Sequence, residues 1–182
     1  MEQKNETAKN GFTVAIHTLG CRVNQEDSQS MLSELLHAGY KQVAFHEKAN
    51  IYIINTCTVT HLADRKSRQM IRQAIKRNPD GFVVVTGCFA QTHSKEAAAI
   101  EGVDLVLGVE EKNNLVVFLQ QHFSQESPEI CVSDLDQVSV FTPVSEQIGT
   151  GQRTRGFLKI QDGCENFCTY CIVPYARGKV RS

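Results

Sequence analysis

The sequence predicts an α/β fold: a three-layer domain with a parallel sheet, followed by the first piece of a second unit. Three observations predict it. Short runs rich in valine and isoleucine alternate with segments of helical periodicity over the first two thirds of the chain. The runs are continuously apolar rather than alternating, as strands covered on both faces require. Beyond residue 123 the pattern stops, and a new apolar run begins only near Arg155.

The elements follow in order. FTVAIHT (Phe12–Thr18) is the first strand. QEDSQSMLSELLHAGY carries Met31, Leu32, Leu35 and Leu36 at helical spacing, with Gly39 as its stop. NIYIIN (Asn50–Asn55) is the second strand. The next helix ends at Asn78-Pro79-Asp80-Gly81. FVVVTG (Phe82–Gly87) is the third strand. A helix over Ser94–Ile100, a strand over Asp104–Leu107 and a helix over Lys112–Gln121 complete the domain. The expected organisation is a disordered leader at 1–10, the α/β domain at 11–123, a linker at 124–154 and an incomplete second unit at 155–182. The linker holds Ser127-Pro128, Thr142-Pro143 and Gly149–Gly151, with a short strand expected near Val138–Phe141. RGFLKI (Arg155–Ile160) reads as the first strand of the second unit.

With 182 residues the chain can bury a real core, and its net charge of -1 does not advertise a nucleic-acid partner. No apolar run approaches the ~20 residues of a membrane span. The polar start MEQKNETAKNG has no secretory apolar centre, so a cytoplasmic location is expected. Seven cysteines, an odd number, argue against a disulfide scaffold.

Cys21, Cys57 and Cys88 each follow the carboxyl end of an expected strand. In a parallel sheet with right-handed crossovers those ends share one edge, where open α/β sheets bind ligands. Gly20 and Gly87 fit a backbone turning sharply beside a bulky ligand. Cys164, Cys168 and Cys171 form a second trio within eight positions. Thiolates without ligand-spaced histidine favour zinc or an iron–sulfur cluster. Structural zinc wants four closed ligands, whereas three thiolates on a four-iron cluster leave one iron open. Cys131 stands alone and reads as a small buried hydrophobe.

CENFCTYC (Cys164–Cys171) matches the C-x3-C-x-aromatic-C loop of radical S-adenosylmethionine enzymes. With TLGCRVNQEDSQSM, INTCTVT, TGCFAQ and IQDGCENFCTYCIVPYARG, the chain resembles the methylthiotransferase branch of that superfamily. The wording is nearest to the transfer RNA threonylcarbamoyladenosine methylthiotransferases.

The resemblance implies two [4Fe-4S] clusters, one on Cys164, Cys168 and Cys171 and a second on Cys21, Cys57 and Cys88. It implies S-adenosyl-L-methionine as cofactor, with Tyr170 near its adenine, and an electron donor. It implies a tRNA substrate, adenosine-37 of the anticodon loop, which gains a 2-methylthio group. Isopentenyladenosine-37 and a ribosomal-protein aspartate are the alternative substrates within the family. A zinc-stabilised binding module is the alternative of another class. Family members continue into a partial TIM-like barrel, so 155–182 reads as the start of a truncated radical-SAM domain, and the chain alone is expected to be inactive.

Weaker signals complete the reading. Arg65, Arg68, Arg72 and Lys76 share one helix face, with Lys66 and Arg77 beside them. They are either a phosphate-contacting stripe or a solvated face partly paired through Asp64–Arg68. Arg177, Lys179 and Arg181 form another basic stretch. Asn24, Asn55, Thr56 and Gln91 flank the cysteines and are candidates for binding substrate or shielding a cluster. The histidines, His17 and His61 included, show no ligand spacing.

Overall fold

The computed structural model describes residues 11–122, 128–138, 141 and 158–182. The expected leader and most of the linker, with Ser139 and Val140 of the strand expected near Val138–Phe141, lie outside these residues.

Six strands form one sheet: β1 (Thr13–Thr18), β2 (Lys41–Gln42), β3 (Ile51–Thr56), β4 (Phe82–Gly87), β5 (Leu105–Leu107) and β6 (Glu129–Cys131). Their order is β2-β1-β3-β4-β5-β6, and every pairing is parallel. The order reverses between β1 and β3, which creates a topological switch point there. The four strands expected within residues 11–123 are present. β2 and β6 were not expected, because two or three residues at a sheet edge carry no apolar signature. Both residues of β2 are exposed.

β3 and β4 are buried along their whole length. Their side chains alternate between two cores. Tyr52, Ile54, Val83 and Val85 join Ile71 and Ala74 of α2 (His61–Arg77) on one face. Ile51, Ile53, Phe82 and Val84 join Met31 and Leu35 of α1 (Arg22–His37) and Leu115 and Leu119 of α5 (Leu115–His122) on the other. Two short helices, α3 (Cys88–Thr92) and α4 (Ser94–Ala98), complete the first face. Three layers follow, as the continuous apolar strands require.

The helix boundaries have local causes. Thr60 accepts a hydrogen bond from Ala63 N at 3.1 Å and caps α2. The helix ends at Asn78, extended as a residue before proline must be, and Asn78 Nδ2 donates to Ala49 O at 2.8 Å. Gly39, at φ +89°, turns the chain out of α1 as expected.

The second unit differs from expectation. Leu158, Lys159 and Ile160 carry no ladder pairing, so the described part of the expected strand at Arg155–Ile160 is not one. Instead, Asp162 and Arg181 form an antiparallel bridge, with N to O distances of 2.9 and 2.8 Å. Cys164 N donates to Gly178 O at 3.0 Å inside it. These bonds close residues 162–181 into a loop that carries a short helix, α6 (Val173–Arg177). The physical reason is that no neighbouring strand is present among the described residues to accept Leu158–Ile160. The backbone is satisfied within the loop instead.

Candidate metal centre

Three loops at the carboxyl edge of the sheet hold the first cysteine trio. Cys21 follows β1 and precedes the first residue of α1. Cys57 directly follows β3, and Cys88 opens α3 directly after β4. Cys21 is exposed, while Cys57 and Cys88 are buried. All three line one cavity of about 180 Å³, together with Asp162, Gly163, Ile172, Ala176 and Arg177 of the closed loop. The cavity sits at the switch point between β1 and β3. The strand-end reading therefore places these residues correctly: the parallel sheet brings together thiols 36 and 31 positions apart in sequence.

Close packing holds the loops in place. Gly20 has φ +103°, and a Cβ there would lie 2.8 Å from Cys57 Cβ and 2.9 Å from its sulfur. Gly87 has φ +91°, and a Cβ there would lie 2.5 Å from Thr56 O. The adjoining loops themselves, rather than a ligand, account for both glycines. Asn24 Nδ2 donates to Leu19 O at 2.7 Å and to Thr56 O at 3.0 Å. Asn55 Nδ2 donates to Asn24 O at 2.8 Å. Thr56 Oγ1 donates to Thr86 O and accepts from Ala90 N. Gln91 ties Val109 N to Ser133 O. The polar residues flanking the cysteines thus act by fixing the loops.

The second trio sits on the closed loop, with Cys168 exposed and Cys164 and Cys171 half-buried. Cys171 N donates to Cys168 O at 2.9 Å, so the two lie on one turn. Phe167, between them and Cys164, has φ +45°. Gly163 and Ile172, the chain neighbours of Cys164 and Cys171, line the cavity of the first trio. The two trios are therefore adjacent. Tyr170 is 89% exposed.

A buried charge network joins the loop to the α/β domain. Arg177 Nη1 donates to both oxygens of Asp162, at 3.0 and 2.9 Å. Its Nη2 donates to Asn24 Oδ1 at 2.5 Å and Asp27 Oδ2 at 2.8 Å. Lys159 pairs with Asp27 at 2.9 Å and with Asp162 at 2.6 Å. Lys112 reaches Asp27 at 3.3 Å and donates to Val109 O at 2.6 Å. Burial pushes the Asp27 carboxyl up, but Lys112, Arg177 and Lys159 together hold it well below the usual range. Asp162 is held low against burial by Arg177, Lys159 and Lys112. Burial pushes the Lys112 amine down despite Asp27. Burial also pushes the Cys88 thiol up, and the Arg177 cation opposes that.

This network was missed in the sequence. Its members are single charges in unrelated elements, and no spacing links them. It also corrects the basic stretch at Arg177, Lys179 and Arg181. Arg177 and Arg181 are buried, because Asp162, Asp27 and the Arg177 carbonyl accept their hydrogen bonds. On α2, Arg68 pairs with Glu96 at 2.5 Å instead of Asp64 and lies over the Phe89 ring at 4.8 Å. Arg77 lies over Phe45 at 4.8 Å. Arg65, Lys66, Arg72 and Lys76 are exposed.

His17 packs on Phe45, with ring centroids 4.7 Å apart. His122 is placed differently from expectation: with Glu129 and Cys131 it forms a group whose ligand atoms all lie within 4.8 Å of one another. Glu129 and Cys131 share a strand face two residues apart, a signal visible only once β6 is known.

The sulfurs of the first trio are not grouped that tightly among the described residues. Four sulfurs on one zinc at about 2.3 Å would stand about 3.8 Å apart. The cavity has room for about six waters at ~30 Å³ each. An all-sulfur donor set opening on a cavity of this size fits a polynuclear iron–sulfur group better than a single ion.

The model of uncharacterized protein family UPF0004 matches residues 13–108, the part that contains all of β1–β5 and the first trio. The chain belongs to this family. This match, together with the relatives that follow, bears out the resemblance read from the motifs. The threonylcarbamoyladenosine tRNA methylthiotransferase MtaB of Bacillus subtilis is 46% identical over 170 residues, covering 93% of this chain and 38% of that protein. MtaB of Aquifex aeolicus is 44% identical, covering 93% and 41%. The tRNA-2-methylthio-N(6)-dimethylallyladenosine synthase of Moorella thermoacetica is 37% identical, covering 93% and 39%. The chain spans about two fifths of the length of these curated relatives. No helix among its described residues is long and apolar enough to cross a membrane.

Proposed function

We propose that this chain is the cluster-bearing N-terminal portion of a tRNA methylthiotransferase that acts on N6-threonylcarbamoyladenosine at position 37. One observation carries the reading: Cys21, Cys57 and Cys88 come from three strand ends to one cavity at the sheet's switch point. These three residues would hold one [4Fe-4S] cluster. Cys164, Cys168 and Cys171, on the closed loop beside them, would hold the radical S-adenosylmethionine cluster, with Tyr170 toward the adenine.

When bound, the cofactors supply the radical and sulfur chemistry that an unactivated adenine carbon needs. The protein's own contribution is placement. The glycine-packed loops fix Cys21, Cys57 and Cys88. The Arg177 network seats the second trio against the first. Ile172 and Ala176 cover the cavity and limit water. The substrate assignment is supported by the higher identity to the two MtaB proteins than to the dimethylallyladenosine synthase. A cytoplasmic location and an electron donor belong to the same reading.

Anaerobic loading with iron and sulfide tests the ligand assignment. The chain should bind iron and sulfide in equal amounts and turn brown. Replacing Cys21, Cys57 and Cys88 with Ala should remove one cluster, and replacing Cys164, Cys168 and Cys171 the other. Stoichiometric zinc in a colourless protein would refute the assignment. Nucleoside analysis of tRNA from cells without the gene tests the substrate. Loss of 2-methylthio-threonylcarbamoyladenosine is expected, and loss of only the dimethylallyl derivative would reassign it.

A further inference from the structure

A different set of metal-binding side chains lies at the edge of the sheet, two strands beyond β4, and lines no part of the cysteine cavity. His122 is the last residue of α5, and Glu129 and Cys131 are the two ends of the edge strand β6. In the parallel register Glu129 stands beside Leu105 and Cys131 beside Leu107, and both leucines belong to the core that α5 covers. Glu129 and Cys131 therefore face the layer that supplies His122, while the exposed Ile130 lies on the other face. The ligand atoms of His122, Glu129 and Cys131 all lie within 4.8 Å of one another, and all three residues are half-buried. The Phe118 ring stacks on the imidazole, with centroids 6.0 Å apart and planes at 17°. His122 Nδ1 is buried and in ion-pair contact with Glu129 Oε2, yet it makes no aligned hydrogen bond among the described residues. A cation at that nitrogen would relieve the cost of leaving it without one. The carboxyl end of a helix, where His122 stands, also favours positive charge.

We propose that His122, Glu129 and Cys131 form a separate metal site, for a single divalent cation of the zinc class, which ties the end of α5 to the edge strand β6. One thiolate, one imidazole and one carboxylate are the donor types that zinc takes. On one zinc ion at about 2.0–2.3 Å they would stand roughly 3.3–3.8 Å apart, a spacing within side-chain adjustment of the observed group. Three protein ligands leave a fourth position for solvent, on the side where Glu129 is 37% exposed. The donor set also separates this site from the two trios: it holds one sulfur, too few for an iron–sulfur group. The proposal does not depend on the cluster assignment, and a brown protein that also carries one zinc fits both.

The test uses the whole chain with Cys21, Cys57, Cys88, Cys164, Cys168 and Cys171 replaced by Ser, which leaves Cys131 as the single thiol. Cobalt(II) is added anaerobically, followed by zinc. One cobalt per chain is expected, with the visible bands of a tetrahedral ion and a thiolate-to-cobalt charge-transfer band, and zinc should displace it. Cys131→Ser should abolish the charge-transfer band. His122→Ala and Glu129→Gln should each weaken binding at least roughly tenfold, the loss that even indirect partners of a metal cause. A folded parent without the charge-transfer band overturns the proposal, and so does unchanged affinity in His122→Ala. If the six-serine chain does not fold, the unsubstituted chain is loaded with iron and sulfide, dialysed against zinc and analysed for metals, with and without Cys131→Ser. Loss of one zinc at unchanged iron supports the site, and equal zinc in the two proteins overturns it. Iron content in that comparison reports on the cluster ligands separately.

Discussion

Arg177 Nη2 donates to Asp27 Oδ2 at 2.8 Å, joining two residues 150 positions apart. That bond ties the last helix of the described chain to the first helix of the sheet domain, beside the cavity that the cysteines share.

Asp27 is the hub of the network, touched by Lys112, Lys159 and Arg177. Removing it leaves Lys112, which is almost wholly inaccessible, without its carboxylate. Asp27→Ala should cost about 3–5 kcal/mol, the usual penalty for an uncompensated buried charge. Urea denaturation measures it. A second change, Lys112→Met, should recover part of the loss, and strictly additive effects would contradict the pairing.

The same carboxylates predict an acid-labile dock. Asp27 and Asp162 are both held below their ordinary range when folded. A depressed folded value means that the unfolded chain binds more protons once the pH falls below about 4. Their stabilisation should be complete above that pH and be lost progressively below it. Urea midpoints between pH 6 and 3 should therefore fall, and Asp27→Asn should flatten that slope.

Gly20→Ala should be destabilising even though it adds one methyl group. The new Cβ would meet Cys57 at 2.8 Å, in a backbone conformation at φ +103°. A loss of more than about 1 kcal/mol is expected. Iron retention should fall with it, because the clash falls on a proposed ligand. Gly11→Ala, with positive φ and open space around it, separates the two effects: it should lose stability without losing iron.

The exposed cations of α2 are separable from the structural ones. Replacing Arg65, Arg72 and Lys76 with Gln should change stability by less than about 0.5 kcal/mol. If the helix face meets RNA, binding of an anticodon stem-loop should lose about 2 from its salt slope. An unchanged slope assigns the stripe to solvent. Arg68→Gln should instead lower stability, since Arg68 packs on Phe89 and pairs with Glu96.

Cys131→Ser should leave iron and sulfide content unchanged. Cys131 ends the edge strand β6, two strands beyond β4, and does not line the cysteine cavity. A lost cluster in that variant would overturn the choice of the six ligands.

The sequence by itself determined the three-layer α/β architecture. Continuous apolar runs such as Ile51–Ile54 and Phe82–Val85 have to be covered on both faces, and that demand is local. It also placed Cys21, Cys57 and Cys88 at strand ends, and a parallel sheet makes such ends neighbours. Only the tertiary structure decided which charges lie inside. Arg177 and Arg181 look like Lys179 in sequence, yet the first two are buried and the third is exposed. Burial of a charge depends on partners such as Asp27 and Asp162, which come from elsewhere in the chain and leave no periodic trace. The edge strands β2 and β6, and the meeting of His122 with Glu129 and Cys131, escaped for the same reason: their stabilising partners are distant in sequence.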